Sequence, residues 1–442
     1  MHIIIKRLSS AQIIILGFMA TILVGSLFLM LPIATQDHQG ASFMDALFTS
    51  TSAVCVTGLI VQDTATYWST FGQSVIILLI QIGGMGIVTI AVSMYIFSGK
   101  KISLKQRSTM QEAISAPKVG GIVKLTGFII KSTLICELVG ALVMSPVFCK
   151  EMGLLKGIWY SIFHSISAFC NAGFDLMGVK EQYSSLVYFV NNPIINITIM
   201  SLIIIGGIGF TTWDDISRNK FQLKKYKMQS KVILITTATL IILPTLYFYL
   251  FEFSKLQTGE RFLVSLFQAV TPRTAGFNTV NLSLISEPGI AIIIFLMIVG
   301  GSPGSTAGGM KTTTLAVMLS TSISVFRHRE HTHFFGRRID DDIVRTAATV
   351  LTMYLVLFLT GGLIISSIEN LPLLTCLFET ASAVGTVGLT LGITPSLGNI
   401  SRIILILLMY LGRVGGLTLI FAALSSRQGN TSRLPQEKLT VG

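Results

Sequence analysis

Charge is scarce in this chain: Asp, Glu, Lys and Arg make up 12% of 442 residues, against 51% hydrophobic. With a mean hydropathy of +0.74, that excludes an ordinary water-soluble domain, in which about a quarter of residues are charged. Cysteine is scarce too. Cys55, Cys136, Cys149, Cys170 and Cys376 show no CxxC spacing, so neither a disulfide framework nor a thiolate metal site is implied. No stretch is both long and polar enough for a soluble regulatory module, so any such control comes from a separate subunit.

What is abundant is uninterrupted apolar sequence, in runs long enough to cross roughly 30 Å of hydrocarbon. The first, Ala11 to Leu31, follows Lys6 and Arg7 as a signal peptide would, but it is long, lacks an Ala-x-Ala-like cleavage site and leads to Pro32. It reads as a retained span. A second long run is Phe71 to Phe97.

The net charge of +12 raises two partners, nucleic acid and an anionic membrane surface, and the positions of the basic residues decide between them. They cluster at Lys6 and Arg7; Lys100, Lys101, Lys105 and Arg107; Arg218, Lys220, Lys224, Lys225 and Lys227; Arg327, Arg329, Arg337 and Arg338; and Arg427, Arg433 and Lys438. Asp37, Asp63, Glu181, Glu252, Glu287 and Glu369 lie in the alternate segments. The positive-inside rule places the basic set in the cytosol, with both termini, and the acidic set outside. No aromatic stacking pattern accompanies the basic loops, so nucleic acid is not expected as a partner.

A glycine-bearing segment occurs four times. It reads Thr51-Ser-Ala-Val-Cys-Val-Thr-Gly-Leu59, Ile166-Ser-Ala-Phe-Cys-Asn-Ala-Gly-Phe174, Val270-Thr-Pro-Arg-Thr-Ala-Gly-Phe277 and Ala381-Ser-Ala-Val-Gly-Thr-Val-Gly-Leu389. Gly58, Gly173, Gly276 and Gly388 align. An amphipathic stretch of about ten residues, too short to span, precedes each, beginning near Phe43, Ile158, Arg261 and Leu373. Before those stretches come long apolar runs, Ala11 to Leu31, Ile122 to Val147, Val232 to Phe251 and Ile343 to Ile368, and another follows each loop. The following runs carry Gly83-Gly-Met-Gly86, Gly206-Gly-Ile-Gly209, Gly300-Gly-Ser-Pro-Gly304 and Gly412-Arg-Val-Gly-Gly416, where small residues allow close packing or bending.

The expected architecture is an all-α multi-pass membrane protein. Four pseudo-symmetric units of span, pore helix with filter loop, and span (M1-P-M2) surround one pore, with about eight spans. The units fall at residues 1–110, 111–225, 226–338 and 339–442, the last ending in a short cytoplasmic tail. One glycine loop alone is more often packing than function; four in register call for a shared explanation.

Backbone without internal hydrogen bonds sits at membrane depth only where protein or water surrounds it, so four such loops imply one enclosed, wet place. Glycine lets successive carbonyl oxygens turn the same way, and stacked oxygen rings replace the hydration shell of a potassium ion. The preceding short helices aim their partly negative C-terminal ends at the loops. No ring of Asp or Glu appears there, as a divalent filter would need, so a monovalent ion is the expected cargo.

These residues resemble the Trk/Ktr/HKT superfamily of potassium transporters, most closely its KtrB-type membrane subunits, over essentially the whole chain. The specific marks are the four aligned glycines, Arg273-Thr-Ala-Gly-Phe277 and Gly300-Gly-Ser-Pro-Gly-Ser-Thr-Ala-Gly-Gly-Met-Lys311. The resemblance implies a selectivity filter built from Cys55, Val56, Thr57 and Gly58; Cys170, Asn171, Ala172 and Gly173; Arg273, Thr274, Ala275 and Gly276; and Gly385, Thr386, Val387 and Gly388. It further implies an intramembrane gate loop breaking the second span of repeat three, of Gly300, Gly301, Ser302, Pro303, Gly304, Ser305, Thr306, Ala307, Gly308, Gly309 and Lys311, contacted by Arg413. The glycines and proline there independently rule out an ordinary helix. Gly58 matches the potassium pattern, whereas members with Ser at that position tend toward sodium. Implied partners are a homodimeric second copy, the lipid bilayer and a cytoplasmic RCK-type nucleotide-binding subunit, KtrA- or KtrC-like, forming an octameric ring. Potassium is cargo, and sodium dependence, sodium flux or sodium co-transport is the alternative.

Arg413 lies mid-span, where an unpaired charge is costly, so it should face the pore or the broken loop. Lys311 either meets pore carbonyls or ions or extends toward the cytosol. Arg273 is expected to brace its loop against an outside carboxylate or carbonyl; Lys131 and Glu137 are open to an ion-pathway role, with burial against neighbouring helices the better expectation. Nucleotide binding by this chain is not expected: Gly304 to Lys311 has Met310 where a Walker A motif needs Gly before Lys. His164 with Ser302 or Ser305 is the one loose set for serine hydrolysis, and packing or capping explains His164 better; the chain is not expected to be an enzyme.

Overall fold

The computed structural model describes residues 9–97, 102–114 and 120–415. Lys6, Arg7, Lys100, Lys101, Arg427, Arg433, Lys438 and Gly416 lie outside the described residues.

One order of elements recurs. The first group is α1 (Ser10–Leu29), α2 (Phe43–Val54), α3 (Thr70–Met85), α4 (Ile87–Phe97) and α5 (Leu104–Ile114); the second is α6 (Ile122–Met152), α7 (Leu154–Phe169), α8 (Pro193–Ile208) and α9 (Phe210–Asn219). The third is α10 (Met228–Tyr247), α11 (Thr258–Val270), α12 (Glu287–Ile298) and α13 (Thr312–Phe326); the fourth is α14 (Asp341–Glu369), α15 (Leu373–Gly385) and α16 (Asn399–Val414). Helices α1, α6, α10 and α14 are long and apolar enough to cross a membrane, α10 continuing through a π turn to Glu252. Only 28–33% of their most apolar windows is buried inside the protein, so most of that surface needs lipid rather than water around it.

The second helix of a repeat is not a straight span. The run from Phe71 to Phe97 turns through 95° between α3 and α4, and α8 and α9 meet at 97°. The corners are Gly86 (φ 85°, ψ 133°) and Gly209 (φ 97°, ψ 137°), and Gly415 after α16 adopts φ 86°, ψ 132°, a region open to glycine alone. The first glycine of each motif has another task. A Cβ on Gly83, Gly206 or Gly412 would collide with the carbonyl of Val54, Phe169 or Val384 respectively, the closing turn of that repeat's short helix.

Ser69, Asn192 and Ser286 cap α3, α8 and α12 by accepting from the N–H groups of Gly72, Ile195 and Gly289, satisfying donors a helix start leaves free. The end of the long helix is tied to the start of the next span. Ser69 Oγ donates to the Ile33 carbonyl at 2.6 Å, Ser286 Oγ to Glu252 at 2.6 Å and Ser401 Oγ to Glu369 at 2.5 Å. Between repeats, Trp159 Nε1 donates to Gln73 Oε1 at 2.9 Å, and Arg402 pairs with Asp45 at 3.0 Å, joining the fourth repeat to the first.

One element departs from an all-helical expectation. β1 (His333–Phe334) and β2 (Arg337–Arg338) pair antiparallel, His333 opposite Arg338. Phe335 (φ 49°) and Gly336 (φ 74°) turn between them, a two-residue hairpin whose left-handed pair suits strand twist.

Candidate ion pathway

The short helices α2, α7, α11 and α15 stop at Val54, Phe169, Val270 and Gly385, immediately before the aligned loops, so their unsatisfied carbonyl ends face that region. Within each loop the backbone alternates. Val56, Asn171, Thr274 and Thr386, each two residues before the aligned glycine, have φ of 56°, 60°, 69° and 52°, and Gly58, Gly173, Gly276 and Gly388 have φ of 91°, 69°, 80° and 93°. A left-handed β-branched residue is a true outlier, costing about 1–3 kcal/mol where surroundings enforce it. Val56, Thr274 and Thr386 carry that strain, while Asn171 is of a type that tolerates the left-handed region; the same turn at one register in all four loops marks a site.

The surroundings that enforce it also repeat. Ser52, Ser167 and Ser382 accept through their backbone carbonyls, at 2.8 Å, from the N–H groups of Thr57, Ala172 and Val387, and Thr271 accepts from Ala275 at 3.0 Å in the one-residue-shorter third loop. Ser52 and Ser382 hydroxyls accept from Gly58 and Gly388 N–H at 3.0 Å. Ser167 donates to the Phe174 carbonyl at 2.7 Å, and Thr271 to that of Phe277.

The four glycines meet in a closed circuit. A Cβ on Gly58 would lie 3.1 Å from Gly173 Cα; on Gly173, 3.0 Å from Gly276 Cα; on Gly276, 3.2 Å from Gly388 Cα; and on Gly388, 2.9 Å from Gly58 Cα. In the same order those Cβ atoms would run into the carbonyl oxygens of Ala172, Ala275, Val387 and Thr57. No side chain fits, and four peptide oxygens from four distant segments are gathered within one small region.

The segment 299–311 between α12 and α13 is non-helical and rests directly against this circuit. Thr306 Oγ1 lies 3.1 Å from both the Phe169 carbonyl and Asn171 Oδ1, while Asn171 Nδ2 reaches the Arg273 carbonyl and Thr274 Oγ1, each at 3.4 Å. Ser302 and Thr306 N–H donate to Gly207 and Gly206 carbonyls at 3.0 and 3.3 Å, and Gly309 N–H to that of Gly412 at 3.2 Å. Cβ atoms on Gly300 and Gly308 would meet Thr274 and Thr386 side chains. Arg413 Nη1 donates to the Thr306 carbonyl, and Nη2 to those of Gly83 and, at 3.3 Å, Gly84. Lys311 Nζ folds back to the Ala307 carbonyl at 2.8 Å. A cavity of about 410 Å³ lies against this segment, touching Gly304, Lys311, Tyr354 and Arg413, and none of the loop residues lines it; the segment stands between circuit and cavity.

The TrkH family, described as cation transport proteins, matches residues 9–434. The chain belongs to the TrkH family. Among its relatives, the potassium/sodium uptake protein NtpJ of Enterococcus hirae is 40% identical, covering 99% of this chain and 98% of that one. The Ktr system potassium uptake protein B of Bacillus subtilis is 39% identical over 99% and 97% of the two chains, and that of Vibrio alginolyticus 34% over 98% and 94%. The crystal structure of the potassium transporter TrkH from Vibrio parahaemolyticus superposes with a TM-score of 0.73 at 21% identity, covering 93% of this chain and 84% of that one, which establishes a shared fold. As a TrkH-family member with four helices among the described residues able to cross a bilayer, this is a membrane protein for cation transport.

In this TrkH-family chain, residues singled out by sequence divide by location. Arg413 reaches the broken segment, and Lys311 meets carbonyls of that segment itself rather than extending away. Arg273 contributes its carbonyl to the loop contacts, but its guanidinium turns to Thr237 Oγ1 on α10 at 3.4 Å, a hydroxyl in place of the expected carboxylate or carbonyl. Glu137 is buried as expected, accepts from Gln81 Nε2 at 3.0 Å and lies 3.9 Å from Cys170 Sγ, but Lys131 is not buried against neighbouring helices: it is exposed, on a helix only a third of whose most apolar window is covered by protein. His164 Nδ1 and Nε2 are committed to the Tyr160 carbonyl and Leu176 N–H, while Ser302 Oγ pairs with Thr312 Oγ1 and Ser305 Oγ with the Ser302 carbonyl, so neither serine is bonded to this histidine.

Sequence reasoning did not find the Thr306 to Asn171 link, nor the Ser and Thr brackets. The brackets had a signal, a hydroxyl residue at a constant place in all four aligned segments. The link had none, because 135 residues separate its partners.

Proposed function

We propose that this chain takes up potassium across a bacterial cell membrane through a filter formed by the four loops, with about eight spans, both termini in the cytosol and four M1-P-M2 units around one pore. The observation carrying this is the glycine circuit, whose loops offer peptide oxygens where no side chain fits. A potassium ion sheds water against those oxygens, while the partly negative ends of four short helices favour it. The 299–311 segment, held by Arg413, is the gate, and the cavity beyond it receives the ion. A negative-inside potential supplies about 2.3 kcal/mol per charge per 100 mV, so inward flux needs no ATP hydrolysis by this chain.

Regulation falls to a cytoplasmic RCK-type nucleotide-binding subunit, KtrA- or KtrC-like and assembled as an octameric ring, acting on a homodimer of this chain. The names of the Ktr system relatives support that pairing. Sodium flux or co-transport is the second reading, favoured by the potassium/sodium name of the Enterococcus relative. Potassium-limited growth of an uptake-deficient bacterium, with and without a candidate cytosolic partner, tests the proposal. Rescue supports it, and failure to rescue by a membrane-inserted protein in either case contradicts it.

A further inference from the structure

One buried polar position recurs behind all four loops. Thr49, His164, Gln268 and Glu379 each lie three residues before the bracket residue of their short helix, and each is at most 1% exposed. In repeat two, His164 Nε2 accepts from Leu176 N–H at 3.3 Å, and Nδ1 lies 2.7 Å from the Tyr160 carbonyl. A carbonyl only accepts, so Nδ1 carries the proton and the neutral ring keeps Nε2 free as an acceptor. In repeat four, Glu379 Oε1 accepts from Leu391 N–H at 3.3 Å and from the Thr390 hydroxyl, and Oε2 from Thr394 Oγ1 at 2.8 Å.

Leu176 and Leu391 are both the third residue after their aligned glycine. The same backbone atom is thus tied to the same helical position by two unrelated side chains. In repeats one and three the tie is missing: Thr49 Oγ1, both amide atoms of Gln268 and Thr279 Oγ1, the third residue after Gly276, have no hydrogen-bond partner among the described residues. Because the circuit runs in chain order, the two tied loops face each other across the centre, as do the two untied ones. Glu379 also has no basic partner, since none of the ion pairs among the described residues includes it. Fully buried and without a counter-charge, the carboxyl holds its charge only through those donors and a nearby cation, which couples that charge to an occupied filter.

We propose that His164 and Glu379 are filter-positioning residues fixing the backbone just beyond the glycine of two opposing loops, and that the unpaired Glu379 carboxylate also strengthens binding of the entering potassium ion. This rests on the potassium-filter reading above. It separates two roles that different substitutions divide. Glu379→Gln keeps the shape and can still accept from Leu391 while the charge is lost; Glu379→Asp keeps the charge and shortens the reach; His164→Gln can still accept from Leu176, and His164→Leu cannot.

The test is concentration-dependent potassium and sodium uptake by the full-length protein in proteoliposomes, each variant first checked for a monodisperse gel-filtration peak. Glu379→Gln is expected to raise the potassium KM by about 3- to 10-fold with Vmax little changed, and Glu379→Asp to keep KM but lower the potassium-to-sodium ratio. His164→Leu is expected to lower that ratio, and His164→Gln to restore it. Wild-type KM and ratio in folded Glu379→Gln and His164→Leu would overturn the inference, as would a loss of Vmax alone. Gly58→Ser run alongside separates the layers: if it too leaves potassium uptake untouched, the filter reading itself fails.

Discussion

Replacing Gly58 by Ser perturbs the circuit at a place where both backbone and space are defined. Position 58 has φ 91°, where a residue with a side chain carries strain of about 1–3 kcal/mol. Its Cβ would also press on the Ala172 carbonyl oxygen and lie 3.1 Å from Gly173 Cα, so the second loop has to move. If that strain is relieved by shifting those oxygens away from their ion-binding positions, the loss falls on ion coordination. At about 1.36 kcal/mol per tenfold, potassium uptake should drop by about 5- to 150-fold. Discrimination should fall as well, because a widened or irregular oxygen set no longer matches one ion radius. The assay is rubidium and sodium flux into proteoliposomes, with Gly127→Ala as control, since a Cβ there meets nothing within 4 Å. Wild-type rubidium flux and selectivity in a folded Gly58→Ser protein would refute the reasoning.

Arg413→Ala removes bonds from a charged donor to the Thr306, Gly83 and Gly84 carbonyls; one such bond is worth about 1.5–3 kcal/mol, so uptake without a regulatory partner should rise by about tenfold or more, and unaltered flux and regulation would deny Arg413 a gating role. Thr306→Val deletes the hydroxyl between the 299–311 segment and Asn171; at about 1 kcal/mol it should shift the same readout about fivefold, and no shift would show that the link does not hold the barrier. Arg402→Met leaves Asp45 without its ion-pair partner where the two side chains are 17% and 13% exposed. That should cost about 2 kcal/mol, short of the penalty for a fully buried pair, seen as earlier thermal unfolding in detergent and partly reversed by adding Asp45→Asn. Equal unfolding temperatures would mean the pair does not help close the fourth repeat onto the first.

Much of the architecture was legible because hydrophobic length and glycine spacing act locally. The long runs beginning at Ala11, Ile122, Val232 and Ile343 start within α1, α6, α10 and α14, the first passing the end of its helix at Leu29 and the third continuing into the π turn after Tyr247, and the short stretches near Phe43 and Leu373 start α2 and α15. The corners at Gly86 and Gly209 were only half legible. The motifs announced packing or bending, but an apolar run looks the same whether it continues or turns through 95°, because hydropathy records composition and not direction. The 333–338 hairpin was missed for a related reason: two residues per strand are too few to show a period, and its signal reduces to Phe335-Gly336.

At the loops, sequence pointed to residues and not to partners. The backbone alternation at Val56, Thr274 and Thr386 could not be anticipated, since β-branched residues ordinarily avoid that region, and it persists there only where tertiary bonds enforce it; at Asn171 the residue type itself permits it. Glu379 looked like an ordinary polar residue of an amphipathic helix. Its neighbours Thr390, Leu391 and Thr394 follow within fifteen residues, yet the intervening glycine turn, invisible to periodicity, brings them back onto it.

The central claim is that the four glycine loops form one site for a dehydrated monovalent ion. Anomalous scattering from crystals of the protein grown in rubidium or thallium tests it most directly. The account predicts density enclosed by Gly58, Gly173, Gly276 and Gly388 and their preceding carbonyls. Density confined to other places, with the circuit empty at saturating ion, would contradict it.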